Sequence, residues 1–316
     1  MPKANITEQE FVRICHTSTS LSEIATKTNT NIRNIQRRIK RLEEKYGDLR
    51  PKGFYYQQVE RFGGHVENIN KSGYYKILLF SDAHFWPSEY HPESKSYNIM
   101  LQILQDLKPD FIVNGGDSFD GASISRHPKH GWHDGPSVAE ELEINQECLG
   151  KIVSLSPKST KLWCWGNHDA RMDSRLAQNV PEFQGVKNFS LVDHFPDWKF
   201  CMSTVFNGHF KITHKWKGGE HAAWNEVIRS GVSYATGHDH ACYVRPYTDM
   251  RGTRYGIKTG TLCDINGPQF FYRHQNPTSW QEGFVVVHIE DDFIHPETVI
   301  MMGEKAYWNG KVYKPS

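Results

Sequence analysis

The spacing of hydrophobic and polar positions changes along the chain near residue 74. Before this point, apolar residues recur at intervals of three and four, as at Ile32, Ile35 and Ile39. Such intervals place apolar side chains on one face of an amphipathic helix. The pattern predicts a small all-α domain over residues 1–50. A polar, glycine-bearing segment follows, residues 51–73, which we interpret as a linker or a wing.

Beyond residue 74, short apolar runs alternate with helical patterns. Runs with the length of buried strands occupy residues 74–80, 111–113, 161–165, 210–213 and 232–236. Helices are predicted over residues 94–107, 136–155 and 220–229. This alternation predicts an α/β architecture for residues 74–316. Later strand signals, including residues 283–289, are expected to complete a second sheet.

The first fifty residues contain a basic helix after a polar turn. Three short helices with this turn before the third resemble a helix-turn-helix module. The third helix carries basic side chains away from its apolar face, which suits the phosphates of DNA. The predicted DNA-contacting residues are Asn31, Arg33, Asn34, Arg37, Arg38 and Arg41. A solvated basic face and a protein-binding module stay open as alternatives.

The net charge, the cysteines and the absence of long apolar runs indicate where in the cell the protein is expected. The formal net charge of the 316 residues is +1, so no global field favours nucleic acid or a membrane surface. None of the six cysteines forms a C-x-x-C pair, which argues against a cysteine-based zinc site and favours reduced thiols. The amino terminus lacks the apolar core of a signal peptide, and no apolar run is long enough to span a membrane. We predict a cytoplasmic protein with no membrane partner and leave its oligomeric state open.

Four short polar motifs follow predicted strands. They are Asp-Ala-His at 82–84, Gly-Asp-Ser-Phe-Asp at 116–120, Gly-Asn-His-Asp at 166–169 and Gly-His-Asp-His at 237–240. Carboxylate, amide and imidazole groups at the carboxyl ends of strands suit divalent metal ions. In this order the motifs resemble those of the calcineurin-like metallophosphoesterase superfamily, over about residues 74–290. The resemblance implies a two-sheet sandwich flanked by helices.

The same resemblance implies two metal ions that share one carboxylate. One ion is assigned Asp82, His84 and His240, and the other is assigned Asn167, His214 and His238. Asp117 would bridge both ions, together with a hydroxide. Mn²⁺ is the first choice of metal, with Fe or Zn²⁺ as alternatives, because mixed nitrogen and oxygen ligands suit all three.

The choice of His214 rests on its position directly after a predicted strand. Members of the family often carry glycine after this histidine, whereas this chain has Lys215. His209 and His221 are therefore kept as alternative ligands.

A separate set of residues is predicted to handle protons and phosphate. His168, beside the assigned ligand Asn167, is predicted to protonate the leaving oxygen. Asp120 would hold the His168 ring and raise its pKa. Arg171 is predicted to contact the phosphate, with Arg126 as a weaker alternative.

Three further features border these motifs. Asp169 is expected to support a turn rather than bind metal. The loop over residues 122–135 contains Trp132, which is interpreted either as packing or as a stacking platform for a base. The aromatic stretch over residues 270–280 is interpreted as packing.

Three functions fit this set of residues. The preferred hypothesis is a dinuclear-metal-dependent phosphodiesterase that uses metal-activated hydroxide and acts as a DNA nuclease targeted by residues 1–50. The first alternative is a phosphomonoesterase, such as a protein or nucleotide phosphatase, although Gly121 stands where protein phosphatases of the family carry arginine. The second alternative is a catalytically silent DNA-binding regulator. Decay of the site would be expected to remove buried charges first, and every expected ligand is present.

Overall fold

A computed structural model of the chain describes residues 6–18, 21–46, 49, 65–87, 94–126, 135–273 and 278–315. Residues 127–134 of the predicted loop, which include Trp132, lie outside the described residues, as do residues 51–64 of the predicted linker. The chain forms two compact units, Met1–Val66 and Glu67–Ser316.

The first unit is built from three helices, α1 (Glu8–Thr17), α2 (Leu21–Thr28) and α3 (Ile32–Tyr46). Helix α1 begins after Thr7, whose hydroxyl accepts a hydrogen bond from the backbone N–H of Glu10 at 3.2 Å. Apolar side chains of all three helices form one core: Phe11, Cys15, Leu21, Ile24, Ile35, Ile39 and Leu42, joined by Leu49. Ile32 departs from the predicted apolar face, because 41% of its surface is exposed.

The described part of the chain continues with fourteen strands and four more helices. The strands are β1 (Val66–Ile69), β2 (Tyr74–Phe80), β3 (Phe111–Asn114), β4 (Thr160–Cys164), β5 (Lys199–Cys201), β6 (Ser203–Phe206), β7 (Phe210–Thr213), β8 (Ser233–Thr236), β9 (Cys242–Asp249), β10 (Gly252–Thr259), β11 (Gly283–Glu290), β12 (Phe293–Ile300), β13 (Ala306–Trp308) and β14 (Lys311–Tyr313). The helices are α4 (Lys95–Leu107), α5 (Val138–Leu155), α6 (Arg171–Asn179) and α7 (Ala222–Ser230).

Two six-stranded sheets form the body of the second unit. The first has the order β12-β11-β2-β3-β4-β5, and its strands β2 to β5 run parallel. The second has the order β1-β6-β7-β8-β10-β9, with β7, β8 and β10 parallel. Residues such as Leu79, Val113, Ile212 and Ala235 form a core shared by the two sheets. Helices α4 and α5 pack on the other face of the first sheet. The predicted two-sheet α/β fold flanked by helices is confirmed.

Strand β11 lies in a different sheet from the one expected for residues 283–289. It pairs antiparallel with β2 and therefore belongs to the first sheet. Val285 and Val287 enter the core shared by the sheets, whereas Phe284 and Val286 enter the core on the helical side. A strand buried on both faces fits a central position. An apolar run alone does not reveal which sheet it will join, so the expectation of a second-sheet strand was wrong.

The six cysteines are all buried, and none is in a disulfide. No helix among the described ranges is both long enough and apolar enough to cross a membrane.

Candidate metal centre

The predicted metal ligands lie after the carboxyl ends of five strands, which belong to both sheets. Asp82 and His84 follow β2, Asp117 follows β3, Asn167 follows β4, His214 follows β7, and His238 and His240 follow β8. The fold gathers histidine and aspartate side chains into three overlapping groups, with ligand atoms within 4.8 Å of one another: Asp82/His84/His240, His84/Asp117/His168 and Asp117/His214/His238. We call the first the Asp82 group and the third the Asp117 group. The middle group connects them through His84 and Asp117.

The backbone of these ligand loops is unusual. Five predicted ligands have a positive φ angle: Asp82 (52°), His84 (39°), Asp117 (56°), His238 (71°) and His240 (55°). Residues other than glycine adopt this left-handed conformation rarely, because the β-carbon crowds the backbone. Such strain persists only where the surrounding structure holds it, and it concentrates at functional sites.

Two glycines let the ligand loops approach one another closely. A Cβ atom on Gly166 would lie 2.0 Å from Oδ1 of Asp117, and one on Gly237 would lie 2.5 Å from Oδ2 of Asp82. A side chain at either position would therefore displace the adjacent carboxylate. Glycine is required directly before two of the ligand motifs.

Asp82 is completely buried and anchors its group. Its Oδ2 atom accepts hydrogen bonds from the backbone N–H of His238, at 2.8 Å, and from the hydroxyl of Ser81. Its Oδ1 atom lies 3.3 Å from Nε2 of His240 and 4.0 Å from Nε2 of His84. Burial alone would raise the pKa of Asp82, but the neighbouring histidines, led by His240, hold it well below its ordinary value.

Three buried atoms of the Asp82 group make no hydrogen bond within the described part of the chain: Oδ1 of Asp82, Nε2 of His84 and Nδ1 of His240. An unsatisfied buried polar group costs about 1–3 kcal/mol. A divalent cation between Oδ1 of Asp82 and Nε2 of His84, which lie 4.0 Å apart, would satisfy these two atoms, since carboxylate oxygen and imidazole nitrogen are both ligands for such ions. The side chains present therefore fit the metal ion that the sequence predicts for this group.

The Asp117 group is held by contacts between its own side chains. Oδ1 of Asp117 accepts the backbone N–H of His168 at 2.7 Å, and Oδ2 lies 3.0 Å from Nε2 of His214. Oδ1 of Asn167 lies 3.2 Å from the same Nε2 atom. Nδ1 of His214 lies 3.0 Å from the carbonyl oxygen of Gly115. An Nδ1–H that donates to this carbonyl leaves Nε2 facing the group, as a metal-binding histidine requires.

Of the three histidines considered for this position, His214 is the one in the group. Burial lowers the pKa of His214, but the negative charge of Asp117 outweighs burial and raises it to about 9. The alternative His209 has a half-exposed side chain that pairs with Asp292. The alternative His221 is exposed at the start of α7.

Asp120 connects the metal ligands to the predicted proton donor. Its Oδ1 atom lies 2.8 Å from Nδ1 of His168 and also 2.8 Å from Nδ1 of His84. Burial would raise the pKa of Asp120, but these two histidines hold it well below the ordinary value. The contact with His168 matches the prediction from sequence. The contact with His84 is additional, and no spacing in the sequence indicates it.

Arg171 lies against this pair. Its Nη1 atom donates to the carbonyl oxygen of Asp120 at 2.7 Å, and its Nη2 atom lies 3.1 Å from Nε2 of His168. Because a guanidinium only donates, Nε2 of His168 accepts this bond and its Nδ1–H donates to Asp120. Arg126, the weaker candidate for phosphate contact, is exposed.

Two buried carboxylates that lie outside the predicted set hold the loops in place. Asp169 accepts hydrogen bonds from the backbone N–H groups of residues 117, 118, 119 and 166 and from the indole of Trp163. This is the supporting role expected for Asp169. Glu141 of α5 accepts the backbone N–H groups of Gly121 and Ala122 at 2.5 and 2.9 Å. It fixes the turn directly after Asp120, and the sequence carries no signal of this.

Lys258 is a buried cation beside the Gly-His-Asp-His motif, and sequence reasoning missed it. Its Nζ atom lies 2.9 Å from Oδ2 of Asp239, 3.2 Å from Oε1 of Glu226 and 2.6 Å from the hydroxyl of Thr236. It also donates to the carbonyl oxygen of Lys217 at 3.2 Å. The only available signal was one charged residue inside an otherwise strand-like run.

Aromatic side chains cover the Asp82 group. The ring of Phe270 stands edge-on to His84 and His240, with centroid distances of 5.5 and 5.7 Å. The ring centroid of Trp280 lies 4.2 Å from that of His240. These members of the predicted packing stretch do pack, and their packing surface includes two of the predicted metal ligands.

Comparisons with known proteins give one family match and several more distant similarities. The family model for calcineurin-like phosphoesterases matches residues 75–254. The chain is 24% identical over 273 residues to the Gene 54 protein of Mycobacterium phage L5, an alignment that covers 76% of this chain and 98% of that protein. Among solved structures, it is similar to a Vps29 double mutant from Entamoeba histolytica, with 12% identity, a TM-score of 0.38, and coverage of 75% of this chain and 95% of that one. It is also similar to Yfce, a phosphoesterase from E. coli, with 14% identity, a TM-score of 0.31, and coverage of 69% and 90%.

Proposed function

The chain belongs to the calcineurin-like phosphoesterase family and is a metal-dependent phosphoester hydrolase, and we propose that its substrate is a nucleic acid phosphodiester, with DNA as the first choice. One observation carries the proposal. The same chain joins a two-group metal centre to a helical unit whose third helix exposes a row of basic side chains: Arg33, Arg37, Lys40 and Arg41. A basic helix face of this kind suits a polyanion better than a small phosphate monoester.

The metal centre assigns roles to the side chains around it. We propose that the Asp82 group holds one ion, that Asn167 and the histidines of the Asp117 group hold the other, and that Asp117 contacts both. When bound, two divalent ions supply positive charge for a phosphate ester and lower the pKa of a water molecule. Mn²⁺ is the proposed metal, with Fe or Zn²⁺ as alternatives.

His168 is proposed to donate the proton that the leaving oxygen takes up. Asp120 holds the ring through Nδ1, so Nε2 is the atom that reaches the substrate. In the absence of substrate, Arg171 donates to this Nε2 atom. A phosphate oxygen would compete for the same guanidinium, so that Nε2 could take up a proton from solvent and then give it to the leaving oxygen. Burial lowers the pKa of His168, but the bond to Asp120 outweighs burial and raises this pKa above its ordinary value.

The helical unit supports a DNA-binding role, with two changes to the predicted contacts. Helices α2 and α3 are joined by three residues, a length typical of helix-turn-helix motifs. The Asn31 side chain accepts the backbone N–H of Asn34 at 2.9 Å and so caps α3. Arg38 is used inside the unit, because its Nη2 atom donates to the carbonyl oxygen of Ile6 at 2.7 Å and its guanidinium stacks on Phe11. We therefore propose DNA contacts from Arg33, Asn34, Arg37 and Arg41.

Gly121 disfavours the protein phosphatase alternative. Its φ angle is 63°, and a Cβ atom there would lie 3.0–3.2 Å from the side chains of Phe119 and Arg171. An arginine at this position would be strained and crowded. The silent-regulator alternative has a separate test, because a protein that takes up no Mn²⁺ from excess would support it.

Hydrolysis of bis(p-nitrophenyl) phosphate and p-nitrophenyl phosphate with Mn²⁺ tests the catalytic proposal. The diester should be the better substrate by kcat/KM, and DNA or RNA should be cleaved under the same conditions. A protein that hydrolyses the monoester well but cleaves no nucleic acid would contradict the proposal.

A triple variant, Arg33→Glu, Arg37→Glu and Arg41→Glu, tests the role of α3. Its affinity for duplex DNA should fall about 10-fold or more, because each phosphate contact contributes to a salt-dependent attraction. A matched control reverses three exposed charges outside the helical unit, at Lys158, Arg229 and Arg245. Equal losses in both variants would point to net charge alone and contradict a specific role for α3.

A further inference from the structure

The segment that follows the ligand His214 exposes a tryptophan between two lysines, in the order Lys215, Trp216, Lys217. Trp216 is 38% exposed although it lies in the compact second unit. Two residues of chain span at most about 7 Å, so the Cα atom of Trp216 lies within that distance of the Cα atom of His214. The backbone that carries this exposed indole therefore adjoins the candidate metal centre.

This tryptophan has a fixed support beneath it. Its ring packs on Tyr234 of β8 with a centroid distance of 4.9 Å, and the Tyr234 hydroxyl accepts a hydrogen bond from Thr213 at 3.3 Å. Tyr234 itself is buried. One side of the indole is thus covered by protein, while more than a third of the residue stays in contact with solvent.

The backbone next to Trp216 is held by buried charges. The N–H of Lys217 donates to Oε1 of Glu226 at 3.0 Å, and its carbonyl oxygen accepts from Nζ of Lys258 at 3.2 Å. Glu226 and Lys258 are almost entirely buried and pair with each other. A platform held in this way loses little conformational entropy when a ligand stacks on it.

A positively charged side chain, that of Lys215, directly precedes Trp216 in the chain. Lys215 is exposed. It directly follows His214 in the chain, so the same segment carries its positive charge and a member of the Asp117 group.

From this arrangement we propose that Trp216 and Lys215 form a nucleotide subsite, in which Trp216 stacks on the base next to the scissile phosphate and Lys215 attracts a neighbouring phosphate. The proposal rests on the nucleic acid substrate proposed above. Base stacking on an aromatic side chain changes affinity by about 5- to 150-fold per base. It tolerates any base, because each presents a π face.

Trp224 provides a matched control. It is 40% exposed and packs edge-on against Tyr247 at 5.2 Å, so its exposure and aromatic support resemble those of Trp216. Tyr247 lies in β9, five residues after Cys242, the first residue of that strand. Five residues of a strand span about 16 Å, so Tyr247 lies about this far from the start of β9, which closely follows His240. Trp224 is therefore a surface tryptophan of similar character at a distance from the metal centre.

The experiment compares two diesters with the same leaving group, thymidine 5′-(p-nitrophenyl phosphate) and methyl p-nitrophenyl phosphate, in the Mn²⁺-loaded full chain. Trp216→Ala should raise KM for the thymidine ester by about 5-fold or more and leave the methyl ester nearly unchanged. Trp216→Phe should retain most of the preference, and Trp224→Ala should retain all of it. Lys215→Gln should weaken binding of tetrathymidylate, measured by fluorescence anisotropy in EDTA, more at low salt than at high salt.

The outcomes separate this subsite from the broader function. If the native chain hydrolyses neither diester and cleaves no nucleic acid, the proposed phosphodiesterase function fails. If it hydrolyses both and Trp216→Ala leaves the ratio of the two esters unchanged, the function stands and the subsite is overturned. An equal loss with both esters also overturns the subsite, because it would indicate a structural role.

Discussion

The two halves of the metal centre use similar ligands but support them differently. In the Asp82 group, Nδ1 of His84 lies 2.8 Å from the carboxylate of Asp120. In the Asp117 group, Nδ1 of His214 lies 3.0 Å from the backbone carbonyl of Gly115. A carboxylate partner makes a histidine ligand more basic and also orients it. The Asp82 group is therefore connected through Asp120 to His168, the proposed proton donor, whereas the Asp117 group is connected to the backbone.

The two histidines also differ in charge before metal binds. Burial lowers the pKa of His84, against the effect of its bond to Asp120. In His214, the adjacent Asp117 outweighs burial and raises the pKa to about 9. Near neutral pH, the Asp82 group thus presents a neutral His84, and the Asp117 group presents a protonated His214. The Asp82 and Asp117 groups both consist of aspartate and histidine. They can nevertheless differ in how they bind a metal ion, because the charges and the burial around their histidines differ.

The largest expected effect comes from Asp117→Asn, which removes the carboxylate common to both halves. We expect metal content to fall from about two ions per chain to less than one, and kcat/KM for a diester to fall about 1000-fold or more. Metal analysis after dialysis and steady-state kinetics measure both quantities. Asp292→Asn, at an exposed carboxylate, is the control. Retention of two ions in Asp117→Asn would show that the two halves are independent.

His168→Ala should separate chemistry from metal binding. We expect turnover to fall about 100-fold, because a positioned general acid is lost, while the metal content stays unchanged. The loss should be greater for DNA than for a p-nitrophenyl ester, whose leaving group needs no proton. His295→Ala, at an exposed histidine, is the control. A loss of metal equal to that in Asp117→Asn would make His168 a ligand instead.

Asp120→Asn should weaken one half of the centre selectively. The neutral amide would support His84 less well, and we expect the affinity of one of the two metal sites to fall about 10- to 100-fold. Calorimetric titration with Mn²⁺ resolves the two sites. Glu297→Gln is a matched control, because the Glu297 carboxylate contacts His288 and His295 outside the centre. Equal weakening of both sites would contradict the distinction drawn between the two halves.

The motif blocks and the strand–helix alternation were sufficient to predict the α/β fold, because each depends on residues that are close in sequence. The prediction for β11 failed because the pairing of β11 with β2 joins residues about two hundred positions apart. A buried apolar run satisfies either sheet equally well, so its partner is decided by packing alone.

The site shows the same limit. Most of the predicted ligands occur in short motifs, whereas some of the residues that hold their loops are isolated in the sequence. Glu141 and Lys258 carry no motif, and their roles depend on contacts with turns far along the chain. Arg38 shows a different limit: its place on a basic helix suggested a DNA contact, and its guanidinium donates to the carbonyl oxygen of Ile6 within the helical unit. Charge on a helix face does not reveal which side chains are already engaged.

The last expected effect changes no residue and concerns the protons that metal displaces. Because His214 is protonated in the metal-free protein below pH 9, an ion entering the Asp117 group must release about one proton. The affinity of this half should therefore rise about 10-fold per pH unit from pH 6.5 to pH 9 and level off above that. The other half should depend less on pH, because the pKa of His84 lies below its ordinary value.

Imidazole NMR of the EDTA-treated protein measures this difference directly, with His214→Asn used to assign the resonance. The raised pKa of His214 also means that protonation stabilises the metal-free fold, and this contribution is lost as the pH rises from 6.5 to about 9. Thermal unfolding in EDTA should therefore occur at lower temperature at pH 9.5 than at pH 6.5, by more in the native protein than in His214→Asn. A measured pKa of His214 below the ordinary histidine value would contradict the comparison between the two groups. Both groups would then present neutral histidines to the metal.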